Sequence, residues 1–190
     1  MNAPRVAADV RTEAVLRELY GLPKIGVEVG VFRGQMSRRL LQNDPALFLF
    51  MVDSWKASEE GDSYTSTDDY IARFTQEQHD AVMQEAIAAV SEFANRHKVL
   101  RMTSLDAAKE FKDGSLDFVF IDGNHTFDYA APDIIYWSRK VRSGGLVMVH
   151  DCYSWSGAGV LQAVYAYTHC HNLFWFVTKE NEPTAFWVKP

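Results

Sequence analysis

Short apolar runs alternate along the chain with longer segments in which apolar residues recur at helical spacing. The runs are rich in β-branched and aromatic residues, which is typical of strands, and residues 47–52 are almost wholly apolar, as in a parallel strand covered on both faces. This pattern predicts seven strands, at residues 25–29, 47–52, 99–102, 116–121, 146–149, 173–178 and 184–188.

Helical patterns fill most of the intervals between these strands. The predicted helices cover residues 9–20, 35–42, 69–96, 105–111, 129–141 and 160–168. Alternation of strands with helices predicts an α/β fold, a doubly wound and mostly parallel seven-stranded sheet of the Rossmann-like type. The connection between the last two strands is too short for a crossover, so we expect those strands to form an antiparallel hairpin.

The polar stretch at residues 56–68 shows neither the apolar runs typical of strands nor the spacing typical of helices. It is predicted to be a loop, which either closes over the substrate as a lid or is an ordinary mobile surface segment. A single domain over residues 1–190 is expected, with a helix inside the first 21 residues.

Composition narrows the class of protein. A hydrophobic fraction of 47% and a charged fraction of 23% are typical of a globular protein. The net charge of -6, without a cluster of Lys or Arg, argues against a nucleic-acid-binding surface. No apolar run approaches the ~20 residues of a membrane span. Cys152 and Cys170 make no disulfide framework, so a cytoplasmic location is expected.

Polar residues and glycines follow four of the predicted parallel strands. In an open parallel sheet, ligands bind beyond the carboxyl ends of the strands, where the strand order reverses. The first strand runs into a glycine turn, which lets a ligand approach bare backbone but also occurs in ordinary turns. The four groups are Glu28, Gly30, Phe32 and Gly34; then Asp53, Ser54 and Trp55; then Thr103 and Ser104; and finally Asp122, Gly123 and His125.

Each group has a structural interpretation beside the functional one. Asp53 could accept hydrogen bonds from both hydroxyls of an unphosphorylated ribose, or it could belong to a turn. Trp55 could stack on an adenine or fill the core. Thr103 and Ser104 are placed to meet the edge of the adenine, or either residue could cap the following helix. Four such groups together predict a nucleoside site more strongly than any one alone.

Four segments of the chain resemble class I S-adenosylmethionine-dependent methyltransferases. They are residues 28–34, 52–55, 118–125 and 143–151, and the Ile-Asp-Gly-x-His and Gly-Gly-x-x-x-x-His-Asp pair is the most specific part. The nearest subgroup is the small-molecule O-methyltransferase-like one. The resemblance implies that Glu28, Gly30 and Gly34 hold the methionine end of S-adenosylmethionine, aided by Gln35 and Ser37. It also implies that Asp53 holds the ribose and that Thr103 and Ser104 meet the adenine.

Methyl transfer requires alignment of donor and acceptor and removal of a proton from the acceptor. The groups able to do this are Asp122, His125, His150 and Asp151. In one interpretation, implied by the resemblance, Asp122, His150 and Asp151 hold a divalent cation that acidifies an acceptor hydroxyl, although His150 departs from the oxygen ligands that Mg²⁺ prefers. In another, His125 takes the proton directly while Asp122 or Asp151 orients it. In a third, His125 only caps the next helix.

The sequence also allows two other functions and offers limited information on partners. A nicotinamide oxidoreductase also uses a glycine turn and an acidic ribose ligand, but this turn is not G-x-G-x-x-G, and the pair Tyr136 and Lys140 falls on a predicted helix. A nucleoside-binding module without turnover is the third class. By analogy, the acceptor is expected to be a small hydroxylated molecule. The aromatic last strands are assigned to the core, with a homodimer contact as the alternative; residues 169–171 are predicted to end a helix and not to bind metal.

Overall fold

The computed structural model describes residues 5–6, 24–59, 61–155 and 157–190, so the helix predicted at residues 9–20 lies outside the described part. Eight strands form one sheet: β1 Arg5–Val6, β2 Lys24–Val29, β3 Leu47–Asp53, β4 His97–Arg101, β5 Leu116–Ile121, β6 Val141–Val149, β7 Phe176–Val177 and β8 Ala185–Val188. The helices of the described residues are α1 Gln35–Asn43, α2 Gln76–Ala89, α3 Ser104–Lys109, α4 Phe127–Lys140 and α5 Val160–Cys170. None of them is long and apolar enough to cross a membrane.

The sheet has the order β1-β7-β8-β6-β5-β2-β3-β4, and only β8 runs against the other strands. The seven predicted strands are therefore confirmed as β2 to β8, including the antiparallel hairpin, and the two-residue β1 extends the edge by pairing in parallel with β7. From β2 the chain proceeds outward through β3 and β4, then returns to β5 on the other side of β2. The order thus reverses between β2 and β5, which is where ligands bind in such sheets.

Helices cover both faces of the sheet, and this explains why the central strands are apolar at nearly every position. In β5, Phe118 and Phe120 belong to one buried cluster, while Val119 and Ile121 belong to the other. Successive side chains of a strand point to opposite faces, so a strand buried on both sides has no polar alternation.

The aromatic residues of the last two strands mostly serve the core, as predicted. Trp175, Phe186 and Trp187 are buried, and Phe176 packs against the buried cluster on its face of the sheet. Phe174 is the exception, with 61% of its surface exposed.

The single long helix predicted at residues 69–96 is wrong. Tyr70–Arg73 and Ser91–Phe93 are separate 3-10 turns on either side of α2. Helix α2 begins afresh because Thr75 forms a capping box with Gln78, in which each side chain satisfies a backbone N–H of the other residue. The break brings the segment before α2 back across the carboxyl edge of the sheet.

Candidate active site

A cavity of about 1260 Å³ opens at the carboxyl ends of the parallel strands. Every predicted site residue except Gly34 and Ser37 lines it, and residues 61–64 and 68–71 form part of its wall. Gly34 lies behind the cavity, where a Cβ atom would meet the backbone of Ala86 at 3.1 Å. The sequence thus predicted residues that lie together in the structure, and their roles as a site stay predictions.

The glycine turn brings the tips of β2 and β5 into contact. Gly30 has a φ of 83°, and a Cβ atom there would lie 1.9 Å from the carbonyl oxygen of Asp122, so only glycine fits. Two residues earlier, the buried carboxyl group of Glu28 accepts a hydrogen bond from the hydroxyl of Ser37, on α1. An acidic side chain is thereby held at the floor of the cavity.

Asp53 ties the end of β3 to the glycine turn. Its Oδ2 accepts hydrogen bonds from the backbone N–H groups of Val31 and Phe32, both at 3.0 Å, and its Oδ1 accepts one from the N–H of Trp55 at 2.8 Å. Burial raises the pKa of Asp53 above its ordinary value, although these three donors favour the charged form and lower it. The turn interpretation of Asp53 is thus observed, and contact with a ribose stays a prediction.

Trp55 occupies the core, which is the second of the two interpretations offered for it. Its side chain is 1% exposed, and its indole N–H donates to the carbonyl of Phe32 at 3.0 Å. The carbonyl of Trp55 accepts hydrogen bonds from Gln76 at 2.9 Å and from Arg101 at 3.2 Å. A ring held in this way is not presented for stacking on an adenine, so that interpretation is corrected.

Thr103 and Ser104, which lie shortly after β4, both make hydrogen bonds within the protein. Thr103 caps α3, because its hydroxyl accepts from the N–H of Asp106 at 3.3 Å and donates to the Asp106 carboxylate at 2.8 Å. The hydroxyl of Ser104 donates to Asp133 and accepts from the indole N–H of Trp137 at 2.8 Å. Asp133 was missed from the sequence; its signal was a carboxylate on the buried face of a predicted helix.

His125 lies among three carboxylates. Its Nδ1 is 3.0 Å from Asp69 Oδ2, and its Nε2 is 3.2 Å from Asp151 Oδ2 and 3.6 Å from Asp122 Oδ1. Burial disfavours the charged imidazolium, but hydrogen bonds with Asp122 and Asp69 and the charges of Asp122 and Asp151 outweigh it and raise the pKa of His125 to about 10. Thr126, not His125, is the N-cap residue of α4, so the capping interpretation of His125 is wrong.

Asp69 connects the segment before α2 to this histidine. Besides His125, its Oδ2 accepts a hydrogen bond from the hydroxyl of Tyr64, and its Oδ1 caps the adjacent 3-10 turn through the N–H of Ile71 at 3.0 Å. Burial opposes the charge of Asp69, but the hydrogen bonds from His125, Tyr64 and Ile71 prevail and lower its pKa. Asp69 was missed because its segment was predicted to be helical.

The three predicted metal ligands converge. One ligand atom from each of Asp122, His150 and Asp151 lies within 4.8 Å of the others. His150 Nδ1 is 3.2 Å from the hydroxyl of Thr184, which turns Nε2 toward Asp151 Oδ1, 3.6 Å away. Asp151 Oδ1 is buried and accepts no hydrogen bond from the described residues, and burial is the largest cause that raises the pKa of Asp151. By contrast, residues 169–171 end α5, as predicted.

Comparison with known proteins identifies the family. A family model described as a methyltransferase domain matches residues 27–152, two thirds of the chain. A curated relative, an uncharacterized protein of Sinorhizobium fredii, is 23% identical over 133 residues, which is 68% of this chain but only 13% of that protein's length.

Solved structures share the fold at low sequence identity. The O-methyltransferase NovP matches with a TM-score of 0.66 at 17% identity, over 94% of this chain and 77% of NovP. A precorrin-6y C5,15-methyltransferase from Geobacter metallireducens matches with a TM-score of 0.64 at 12% identity, over 97% and 94% of the two chains. A putative caffeoyl-CoA O-methyltransferase from Staphylococcus aureus matches with a TM-score of 0.65 at 12% identity, over 97% of this chain and 85% of that protein. These structures share the fold of the chain, and the family match over two thirds of its length shows that it belongs to the class I S-adenosylmethionine-dependent methyltransferases.

Proposed function

We propose that this protein transfers the methyl group of S-adenosylmethionine to a hydroxyl oxygen of a small-molecule acceptor. The observation that carries the proposal is the cluster of His125, Asp122 and Asp151, which lies in the same cavity as the glycine turn. Sites for one small ligand measure roughly 300–1,000 Å³. A cavity of about 1260 Å³ therefore has room for a donor and an acceptor side by side.

The residues of the cavity fit the methyl donor. The buried carboxylate of Glu28, held by Ser37, suits the ammonium of an amino-acid group. Gly30 presents bare backbone beside it. Asp53 Oδ1 accepts only the N–H of Trp55 and has a further lone pair, which suits a ribose hydroxyl, whereas Oδ2 is occupied by two backbone N–H groups. When bound, the cofactor supplies an electrophilic methyl group on a sulfonium.

The acidic cluster is suited to hold and deprotonate the acceptor. The carboxylates around His125 keep it protonated, so in the cation-free protein its positive charge lies 3.2 Å from Asp151 Oδ2 and holds that carboxylate by ion pairing. Asp151 Oδ1 is the atom that receives the acceptor's proton, because it is buried, makes no hydrogen bond within the described residues and belongs to a carboxyl of raised pKa. The acceptor oxygen would then bond to the methyl carbon as the bond from that carbon to sulfur breaks, with S-adenosylhomocysteine as the leaving group.

A divalent cation fits the same place. Asp122, His150 and Asp151 would hold it, and the unsatisfied Asp151 Oδ1 is an atom that a cation would satisfy. Its chemistry there would be to acidify and orient an acceptor hydroxyl. Two carboxylates with one imidazole favour Mn²⁺, Fe²⁺ or Zn²⁺ over Mg²⁺.

Ligand binding provides the first test. In thermal denaturation, S-adenosylmethionine and its demethylated product S-adenosylhomocysteine should raise the melting temperature, because both occupy the cavity of the folded protein only. NAD serves as the comparison. A shift with NAD alone would refute the proposal and restore the oxidoreductase alternative.

Turnover provides the second test and separates an enzyme from a binding module. Hydroxylated small molecules would be screened by mass spectrometry for a product heavier by one methylene, in EDTA and with Mn²⁺, Zn²⁺ or Mg²⁺ restored. Asp151→Asn should abolish the product while S-adenosylhomocysteine still binds. His125→Asn should also lower the yield of product, because Asp151 loses the neighbouring imidazolium, and His169→Asn, at the exposed end of α5, is its control. A transferred methyl on nitrogen or carbon would overturn the assignment of oxygen.

A further inference from the structure

Asp133 is a buried carboxylate that the proposed transfer does not use. It lies on α4 with 6% of its surface exposed, yet its side chain lines the cavity. Its Oδ1 accepts a hydrogen bond from Ser104, and among the described residues this carboxylate has no ion pair and no second hydrogen bond. Its Oδ2 faces Gly123, where an added Cβ atom would lie 3.7 Å from it. One oxygen of this side chain is therefore available to a ligand.

Ser104 cannot take the place of Asp133 in binding such a ligand. A hydroxyl has one proton, and that of Ser104 is donated to Asp133 Oδ1 while the Ser104 oxygen accepts from the indole of Trp137 at 2.8 Å. This wall of the cavity consequently offers an acceptor, Asp133 Oδ2, rather than a hydroxyl donor.

Burial of this carboxylate is costly in the protein alone. A carboxylate removed from water is stabilised only by charged or hydrogen-bonding partners, and Asp133 has Ser104 alone within the described part. The cost appears in the pKa of Asp133, which burial raises to about 7 against the lowering effect of Ser104. An N–H donor from a ligand would supply the missing partner.

We propose that Asp133 Oδ2 accepts a hydrogen bond from the exocyclic amine of the cofactor's adenine and thereby selects adenine over 6-oxopurines. The inference rests on the proposed function, because it needs an S-adenosyl ligand in this cavity. Thr103, Ser104 and Gly123 line the same region as Asp133, which is where the adenine is expected. Hypoxanthine has a carbonyl oxygen in place of the amine, and that oxygen would face the lone pairs of the carboxylate.

Titration calorimetry with two ligands tests this selection. At about pH 8.5, where Asp133 is ionised, wild-type protein should bind S-adenosylhomocysteine at least about tenfold more tightly than S-inosylhomocysteine, because the 6-oxo group places a second acceptor against a carboxylate that needs a donor. Asp133→Asn should lose the preference, since its amide can donate to the 6-oxo group while its carbonyl still accepts from Ser104. Glu110→Gln removes one negative charge from an exposed position outside the cavity and should keep the preference.

The outcomes separate this inference from the proposed function. If the wild-type protein binds neither ligand, the proposed function fails. If it binds both equally, or if Asp133→Asn retains the preference, the role of Asp133 is overturned while the proposed function stands. Should the asparagine variant fail to fold by circular dichroism, Asp133→Ala provides the same comparison and must also lose the preference.

Discussion

Replacing Asp133 by asparagine should stabilise the fold at neutral and alkaline pH. Burial, opposed by the hydrogen bond from Ser104, raises the pKa of Asp133 from 3.8 to about 7. Above pH 7 the folded protein therefore holds a charge in an environment that disfavours it, whereas the same carboxylate in the unfolded chain is in water. Asparagine has nearly the same shape, and its carbonyl can still accept from Ser104.

The size and sign of the effect follow from linkage. A folded-state pKa above the unfolded value means that the folded protein retains a proton which the unfolded chain has released, so wild-type stability falls between pH 3.8 and about 7 and is level above that range. At ~1.36 kcal/mol per pKa unit, the full difference corresponds to ~4 kcal/mol. We expect a gain of ~1–3 kcal/mol, because the new amide N–H₂ itself needs a partner.

Urea denaturation, followed by tryptophan fluorescence, measures the gain in the free energy of unfolding. The difference between Asp133→Asn and wild type should be small at about pH 5 and reach its full size at about pH 8. Asp128→Asn, an exposed change on the same helix, is the control for the removal of one negative charge. A variant less stable than wild type at about pH 8, or a gain that is the same at every pH, would refute the reasoning.

Three further results are expected. In EDTA, Asp69→Asn should lower the pKa of His125 from about 10, because it removes one of the hydrogen bonds that favour the imidazolium; an unchanged NMR titration would contradict this. Gly30→Ala should destabilise the protein by at least ~1–2 kcal/mol and abolish binding of S-adenosylhomocysteine, measured by melting and calorimetry, since a Cβ atom would meet backbone at 1.9 Å. A thiol reagent should label Cys170, which is exposed, while Cys152, buried and with a pKa raised to about 12, should react only after unfolding.

The carboxyl-edge residues could be predicted because topology alone brings them together. Strands β5 and β6 pair in parallel, with Ile121 opposite Val149, so the residues that follow each strand must meet at one edge. Asp122, His150 and Asp151 converge for this reason, without any need to know their side-chain contacts.

Asp69 and Asp133 could not be placed in the same way. Asp69 reaches His125 across 56 positions of sequence, and Asp133 reaches Ser104 across 29, and neither follows a strand. Their contacts depend on the path of a loop and on the rotation of a helix, which periodicity does not specify. The break in the helix predicted at residues 69–96, by contrast, could have been predicted from the sequence. Thr75 and Gln78 have the spacing of a capping box, which indicates the start of a new helix.

Backbone strain is concentrated at the same edge of the sheet and gives Asp53 a second role. Of the four non-glycine residues with left-handed φ in the described part, Phe32, Trp55 and Asp151 lie just beyond parallel strands that border the cavity. Such conformations cost ~1–3 kcal/mol each. Asp53 offsets two of them, because its carboxylate accepts from the N–H groups of Phe32 and Trp55. An Asp53→Ala variant would therefore lose turn support and any ribose contact together, whereas a 2′-deoxy ligand on the wild-type protein removes only the ribose contact and isolates it.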